Sequence, residues 1–201
     1  MTRIAPFQQR TATSRLLLLA GIFGWLALQP SVSALMIKRS LIERVQEADY
    51  IVVGTVVSQE SRWHERLALL YTEATIRVTE ALKIPRGETS PSELVIRVPG
   101  GQKGNRLMRV SEMPTFHPAE RTLVFLRKGR AGTCRVVSGT HGAFRLITDP
   151  TLGEDAVANE ARAFLVDATA EQFEFSPLPQ AKVPFSQFRT YLRNLIHETT
   201  S

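Results

Sequence analysis

The stretch Tyr50-Ile51-Val52-Val53-Gly54-Thr55-Val56-Val57 decides the fold of this chain. β-Branched residues fill most of it, and such residues favour strands because their side chains pack well on a pleated sheet. The glycine inside the run, Gly54, indicates a bulge or a bend where the sheet curves. The stretch therefore predicts a curved strand that begins a β domain.

Further strands are predicted downstream of this one. Alternating or apolar runs of strand length lie at Tyr71–Leu82, Leu94–Val98, Thr122–Leu126 and Arg135–Ser138, the last continuing through a bend at Gly139 and Gly142 into Ala143–Ile147. The polar stretch Ser58–Arg66 is predicted to be a turn. The segment Glu154–Asp167 fits either a helix or an irregular excursion, and Phe173–Pro184 is predicted to be extended.

One helix is predicted on each side of these strands. Leu41–Val45 follows Ser40, which together with Glu43 fits a capping box. At the other end, a helix is predicted to begin near Pro184 or Ser186. Its apolar residues recur at intervals of three and four: Phe185, Phe188, Tyr191, Leu192, Leu195 and Ile196.

Five curved, mostly antiparallel strands favour a closed sheet, because closure removes the exposed edges of a small β protein. The predicted fold is mainly β: a five-stranded OB-like antiparallel barrel with an N-terminal helix and a C-terminal amphipathic helix. A small β-sandwich is the second interpretation. Cys134 lies in the predicted strand Thr133–Val137 and is expected to be a core residue.

Three segments resemble the netrin-like and TIMP-like (tissue inhibitor of metalloproteinases) OB modules. Ala48–Val56 is similar to their first strand, Thr75–Lys83 to a later strand, and Leu123–Phe125 to an apolar "LVF" strand. The resemblance spans about Ala48 to Ile147 and implies an OB fold. Inhibitors of the TIMP type present an N-terminal cysteine to the zinc of a protease, whereas the single cysteine here is Cys134. The inhibitory mechanism of that family is therefore not expected here.

The first 34 residues predict the location of the protein. Three arginines precede the apolar run Leu16–Leu28, and Val32-Ser33-Ala34 fits a cleavage site, so residues 1–34 are predicted to be a secretory signal peptide. An uncleaved anchor is the alternative, but the run is short for a membrane span. Residues 35–201 are then a single domain with a C-terminal helical extension, secreted or periplasmic, with no stable membrane insertion after cleavage.

Charge and composition exclude several function classes. Three of the 25 basic residues and none of the 19 acidic residues lie in the predicted signal peptide, so a chain starting at Leu35 has a net charge of +3. This mild charge does not indicate a nucleic-acid partner. His64, His117, His141 and His197 show no metal-ligand spacing, and no serine lies in a nucleophile motif. No metal, cofactor or catalytic residue is predicted.

The remaining signals favour binding. The loop Pro99–Arg106 is rich in glycine and cations, but it lacks the ending of a phosphate-binding loop. The predicted function is an exported, non-enzymatic module that binds a protein or another macromolecule through its loops. An exported protease is one candidate partner, and an exported hydrolase or metal-dependent enzyme with a loop-built site is the alternative function. The predicted contact residues are Trp63, His64, Lys103, Arg106, Arg109 and His117.

Overall fold

The computed structural model describes residues 40–160, 162, 164–169, 172–176 and 182–200. The predicted signal peptide, residues 1–34, lies outside the described residues. Two helices and eleven strands are described, so the prediction of a mainly β fold with a helix near each end is confirmed. They are α1 (Leu41–Glu47), β1 (Tyr50–His64), β2 (Leu69–Lys83), β3 (Glu93–Pro99), β4 (Gly101–Lys103), β5 (Arg106–Met108), β6 (Arg121–Lys128), β7 (Thr133–Val136), β8 (Ala143–Asp149), β9 (Glu154–Ala158), β10 (Phe164–Thr169), β11 (Gln172–Ser176) and α2 (Phe185–Thr200).

The first strand has a partner on each side. β1 pairs antiparallel with β2 from Ile51 to His64 and with β6 from Tyr50 to Thr55. The pairing with β2 shifts register at Gly54, which confirms the predicted irregularity there. A β-carbon at Gly54 would overlap the carbonyl oxygen of Arg77, so β2 approaches more closely than any other residue would allow.

Nine of the described strands are joined in the order β1-β2-β3-β7-β6-β8-β9-β10-β11, with β1 also paired to β6. The sheet is thus larger than the five strands predicted. β3 and β7 run parallel, at Val95–Thr133 and Ile96–Cys134, whereas the other described pairs are antiparallel. β4 and β5 form a separate two-stranded hairpin.

Side chains that alternate along β1 and β6 enter two hydrophobic clusters. Val52 and Val124 belong to a strand cluster, which contains residues of β1, β2, β3, β6 and β7 together with the loop residue Phe116 and with Ala143 of β8. Ile51 and Phe125 belong to a helix cluster, which contains buried residues of α1 and α2. Successive side chains point to opposite faces of a strand, so the near-continuous apolar runs follow from burial on both faces.

Both helices agree with their predictions. In α1, Ser40 and Glu43 form the capping box. α2 begins at Phe185, directly after Pro184. Its apolar stripe is buried in the helix cluster: Phe185, Phe188, Leu192 and Leu195. Within the described part of the chain, no helix is long and apolar enough to span a membrane.

The fifth predicted strand, Arg135 through the glycines to Ile147, is two strands instead: β7 and β8 are separated by the 3-10 segment Gly139–Gly142, and each pairs with β6.

Two further local predictions were wrong. Ser58–Arg66 is not a turn, because β1 continues to His64 and the chain reverses only at the short 3-10 segment Glu65–Leu67. The described residues of Glu154–Asp167 form no helix, because they contain β9 and the start of β10. In both cases pairing with a neighbouring strand decided the structure, and a local sequence pattern does not report such pairing.

Candidate protein-binding surface

The outer half of β1, Ser58–His64, extends beyond the pairing with β6 and forms a two-stranded ribbon with β2. The ribbon reverses through Glu65–Ala68, where Ala68 adopts a left-handed conformation with φ of 48°. Most side chains of this outer half are exposed, whereas those of Tyr50–Gly54 are buried. The end of the ribbon is therefore a projecting part of the molecule.

The β4–β5 hairpin is fastened to one face of this ribbon by short polar contacts. Ser61 Oγ lies 3.0 Å from Thr72 Oγ1 and accepts a 3.2 Å hydrogen bond from the backbone N–H of Gln102. Thr72 is buried and donates to the carbonyl oxygen of Gly100 at 2.8 Å. Gly101 has a φ of 137°, and a β-carbon there would clash with both hydroxyl oxygens. The position therefore requires glycine, which lets the hairpin backbone lie directly on the ribbon.

A contact between Trp63 and Arg106 connects the ribbon with the β4–β5 hairpin. The guanidinium carbon of Arg106 lies 4.9 Å from the centre of the Trp63 ring, within the range of a cation–π contact. Trp63 is 36% exposed, and Leu67 in the turn and Leu107 in β5 are 61% and 60% exposed. Large exposed apolar side chains beside an arginine are the composition typical of protein-binding surfaces. We call this group the tip surface, formed by Trp63, Arg66, Leu67, Lys103, Arg106 and Leu107.

The opposite face of the ribbon is occupied by paired charges. Arg62 forms ion pairs with Glu60 at 2.8 Å and Glu73 at 3.6 Å, and Arg97 binds Glu73 at 2.5 Å. The hydrogen bond from Arg62 holds the pKa of the Glu60 carboxyl below its ordinary value. Arg97 also lies over the ring of Tyr71, 4.7 Å from its centre. On this face, the arginine and glutamate side chains are therefore paired with one another.

The cations of the tip surface, in contrast, form no ion pair among the described residues; Lys103 interacts with the Glu60 carboxyl only at longer range and lowers its pKa less than Arg62 does. Gly101–Val110 contains Lys103, Arg106 and Arg109 and no acidic residue. The turn adds Glu65 and Arg66, whose charges balance. The hairpin therefore supplies an excess of positive charge next to the exposed apolar side chains, and such a field attracts acidic groups.

Five of the six predicted contact residues lie on or beside the ribbon end. Trp63 contacts Arg106, which pairs with Lys103 across the hairpin, and Arg109 follows β5. The Nδ1 atom of His64 accepts from the N–H of Leu67 at 3.3 Å, so this side chain shapes the turn.

His117 lies elsewhere. Its backbone N–H donates to Glu120 Oε2 at 3.1 Å, and the adjoining residues Ala119 and Glu120 bond to Val56 in the middle of β1. Nothing in the described residues joins His117 to the tip surface.

Sequence reasoning missed Leu67 and Leu107. Leu67 lies in the turn between β1 and β2 and is followed by Ala68 and Leu69, and Leu107 lies between Arg106 and Met108, so no local pattern marked either leucine as exposed. It also missed Ser61 and Thr72, which seat the hairpin, because their pairing depends on the unforeseen length of β1.

Three features of the described residues bear on metal and nucleophile chemistry. They contain no group of three or more His, Cys, Asp or Glu side chains placed to hold a metal ion. Cys134 is buried, as predicted, and burial raises the pKa of its thiol. His141 and Ser138 meet through a backbone hydrogen bond in a 3-10 turn, and the buried hydroxyl of Ser138 has no hydrogen-bond partner.

The chain matches no protein-family model and no curated protein sequence. The tip surface combines exposed apolar side chains with cations that form no ion pair among the described residues.

Proposed function

We propose that this protein is an exported, non-enzymatic binding module that contacts another exported protein through its tip surface. The observation that carries this proposal is the contact between Trp63 and Arg106 in a part of the chain that also exposes Leu67, in the turn after β1, and Leu107, the residue after Arg106. Tryptophan and arginine are over-represented among residues that dominate binding energy. The hydrogen bonds of Ser61 and Thr72 hold the hairpin in place, which reduces the entropy lost when a partner binds.

We also propose that β1, β2, β3, β7 and β6 form a closed, OB-like barrel that supports this surface, with the sandwich as the alternative. Two observations support the barrel. The strand order returns from β6 to β1, with β3 and β7 as the parallel pair. All five strands contribute residues to one strand cluster, as expected if that cluster is the barrel interior. The fold would then be that of the netrin-like and TIMP-like modules, without their inhibitory cysteine.

Site-specific photo-crosslinking tests the binding proposal. A crosslinking amino acid replaces Leu107 on the tip surface, and in a control it replaces Ile42 of α1, which is 46% exposed. Both proteins are produced in the native host, and crosslinked partners in the exported fraction are identified by mass spectrometry. We expect one partner protein from position 107 that is absent from position 42. Equal products from both positions, or none from position 107, would contradict the proposal.

Export is tested separately at the N-terminus. Cleavage after Ala34 gives an exported protein whose sequence begins at Leu35. Recovery of the intact N-terminus in the membrane fraction would instead support an uncleaved anchor.

A further inference from the structure

The outer half of β1 has a hydrogen-bonding edge with which no described residue pairs. One edge of Ser58–His64 is occupied by β2. On the other edge, β6 pairs no further than Thr55, and the segment that follows bonds only to Val56. An unpaired edge presents a row of N–H and C=O groups that can receive another strand.

The hairpin cations lie over one face of the outer half. Gln102 of the hairpin bonds to the Ser61 side chain, and Arg106 lies against the Trp63 ring, so a strand added at the edge of β1 would send its side chains on this face toward the hairpin. Its three cations, Lys103, Arg106 and Arg109, have no ion pair among the described residues. A strand arriving at the edge would therefore meet positive charge, which disfavours a basic strand and favours an acidic one.

We propose that the outer half of β1 takes up an acidic, extended segment of the partner protein as an additional strand. This inference rests on the proposed function and deepens it by naming the conformation and charge of the segment that is bound. Main-chain hydrogen bonds supply affinity in this mode, and alternate side chains supply specificity. The carboxylates of the segment face Lys103, Arg106 and Arg109, and its apolar side chains contact Trp63.

Tryptophan fluorescence provides a direct measurement. The chain has two tryptophans, Trp25 and Trp63, and Trp25 lies in the predicted signal peptide, so a protein that begins at Leu35 reports only from the ribbon. The probe is a synthetic peptide of alternating valine and glutamate, about as long as Ser58–His64. Three control peptides are compared: one with lysine for glutamate, one with scrambled order, and one N-methylated at alternate backbone nitrogens, which removes the strand hydrogen bonds.

We expect the acidic peptide to change Trp63 emission saturably. The N-methylated and lysine peptides should bind at least about tenfold more weakly, because one lacks the strand hydrogen bonds and the other is repelled. Binding of the acidic peptide should fall when salt is raised, since exposed charge contacts are screened. Arg106→Glu should weaken it by about tenfold or more, whereas Arg135→Glu, an exposed cation on β7, should not.

Equal binding of the N-methylated peptide would overturn strand addition, because contact would then be electrostatic only. If the lysine peptide bound as tightly as the acidic peptide, the proposal that the bound segment is acidic would be overturned. Concentration-dependent self-association that Glu60→Arg abolishes would show that the edge pairs with a second copy instead. The proposed function is judged apart from these outcomes: a partner crosslinked from position 107 with no acidic peptide bound would leave it standing and reject this inference.

Discussion

The two halves of β1 share one strand but have opposite environments. Ile51–Thr55 lies between two neighbouring strands, and the side chains of Tyr50–Val56 enter both hydrophobic clusters. Ser58–His64 keeps a single neighbour, and its side chains are mostly exposed. The register shift between Val56 and Ser58 marks the change from one half to the other. A strand can therefore belong to the core and to a binding surface at once, provided that its neighbours end at different points.

This difference separates stability from recognition. Large apolar side chains contribute about 1.5–3 kcal/mol each when buried, so substitutions around the inner half should affect folding strongly. Exposed ion pairs contribute only about 0.2–1 kcal/mol, so substitutions around the outer half should affect folding little. The molecule should thus tolerate change at the tip surface while its core holds the ribbon in place.

The largest loss of stability is expected where α2 meets the inner half. Leu192 is fully buried in the cluster that also contains Ile51 and Val53. Leu192→Asp creates a cavity and buries a carboxylate, and we expect it to destabilise the domain by about 4 kcal/mol or more. Chemical denaturation measures this loss. The exposed Asn194→Asp on the same helix is the control, and equal melting of both variants would contradict the structural role of α2.

A smaller loss is expected at Gly54, inside the inner half. Any β-carbon there overlaps the carbonyl oxygen of Arg77 and the side chain of Ile76, so β1 and β2 must separate. We expect Gly54→Ala to lower the free energy of unfolding by about 2 kcal/mol. Gln59→Ala, in the exposed outer half, should change it by less than about 0.5 kcal/mol. If the two substitutions were equally tolerated, the contrast between the halves would be wrong.

The loss of stability on substitution should depend on pH for the buried carboxylate of Asp149 and not for the exposed carboxylate of Glu60. The side chain of Asp149 is buried and bonds to Lys182 and Thr151, which hold the pKa of its carboxyl well below the usual range. Because the folded-state pKa lies below the unfolded value of about 3.9, this stabilisation is complete above that pH and disappears as the pH falls.

Asp149→Asn should therefore destabilise the protein more at pH 7 than at pH 3. Glu60 also has a lowered pKa, but its side chain is 62% exposed and its partner Arg62 is screened by water. Glu60→Gln should thus change the unfolding midpoint little at either pH. A loss for Asp149→Asn that is independent of pH would show that packing, and not the charge, matters at that site.

The sequence predicted the inner half of β1 and the two helices because their signals are local. Gly54 inside a β-branched run indicated the bulge, and the Ser40–Glu43 pair indicated the start of α1. The outer half was missed because Ser58–His64 is polar and is held in a strand by β2, which lies on the other side of a turn. The contact of Trp63 with Arg106 was beyond prediction for the same reason, although both residues had been singled out.

The smallest effect on stability is expected at the tip surface itself, where the effect on binding should be greatest. Arg106→Ala removes the cation over Trp63, and Leu107→Ser removes a side chain that is 60% exposed. Neither leaves a buried cavity or an unpaired buried charge, so each should change the free energy of unfolding by less than about 0.5 kcal/mol.

Loss of an arginine or apolar anchor at the centre of a binding surface typically weakens binding by about 1–2 kcal/mol or more, which is roughly tenfold. The partner identified by crosslinking, once purified, should therefore bind both variants at least about tenfold more weakly in a titration. The control is Arg135→Ala on β7, which should leave the affinity unchanged. Should Arg106→Ala or Leu107→Ser instead unfold the protein, the outer half would share in the core, and the separation of stability from recognition along β1 would fail.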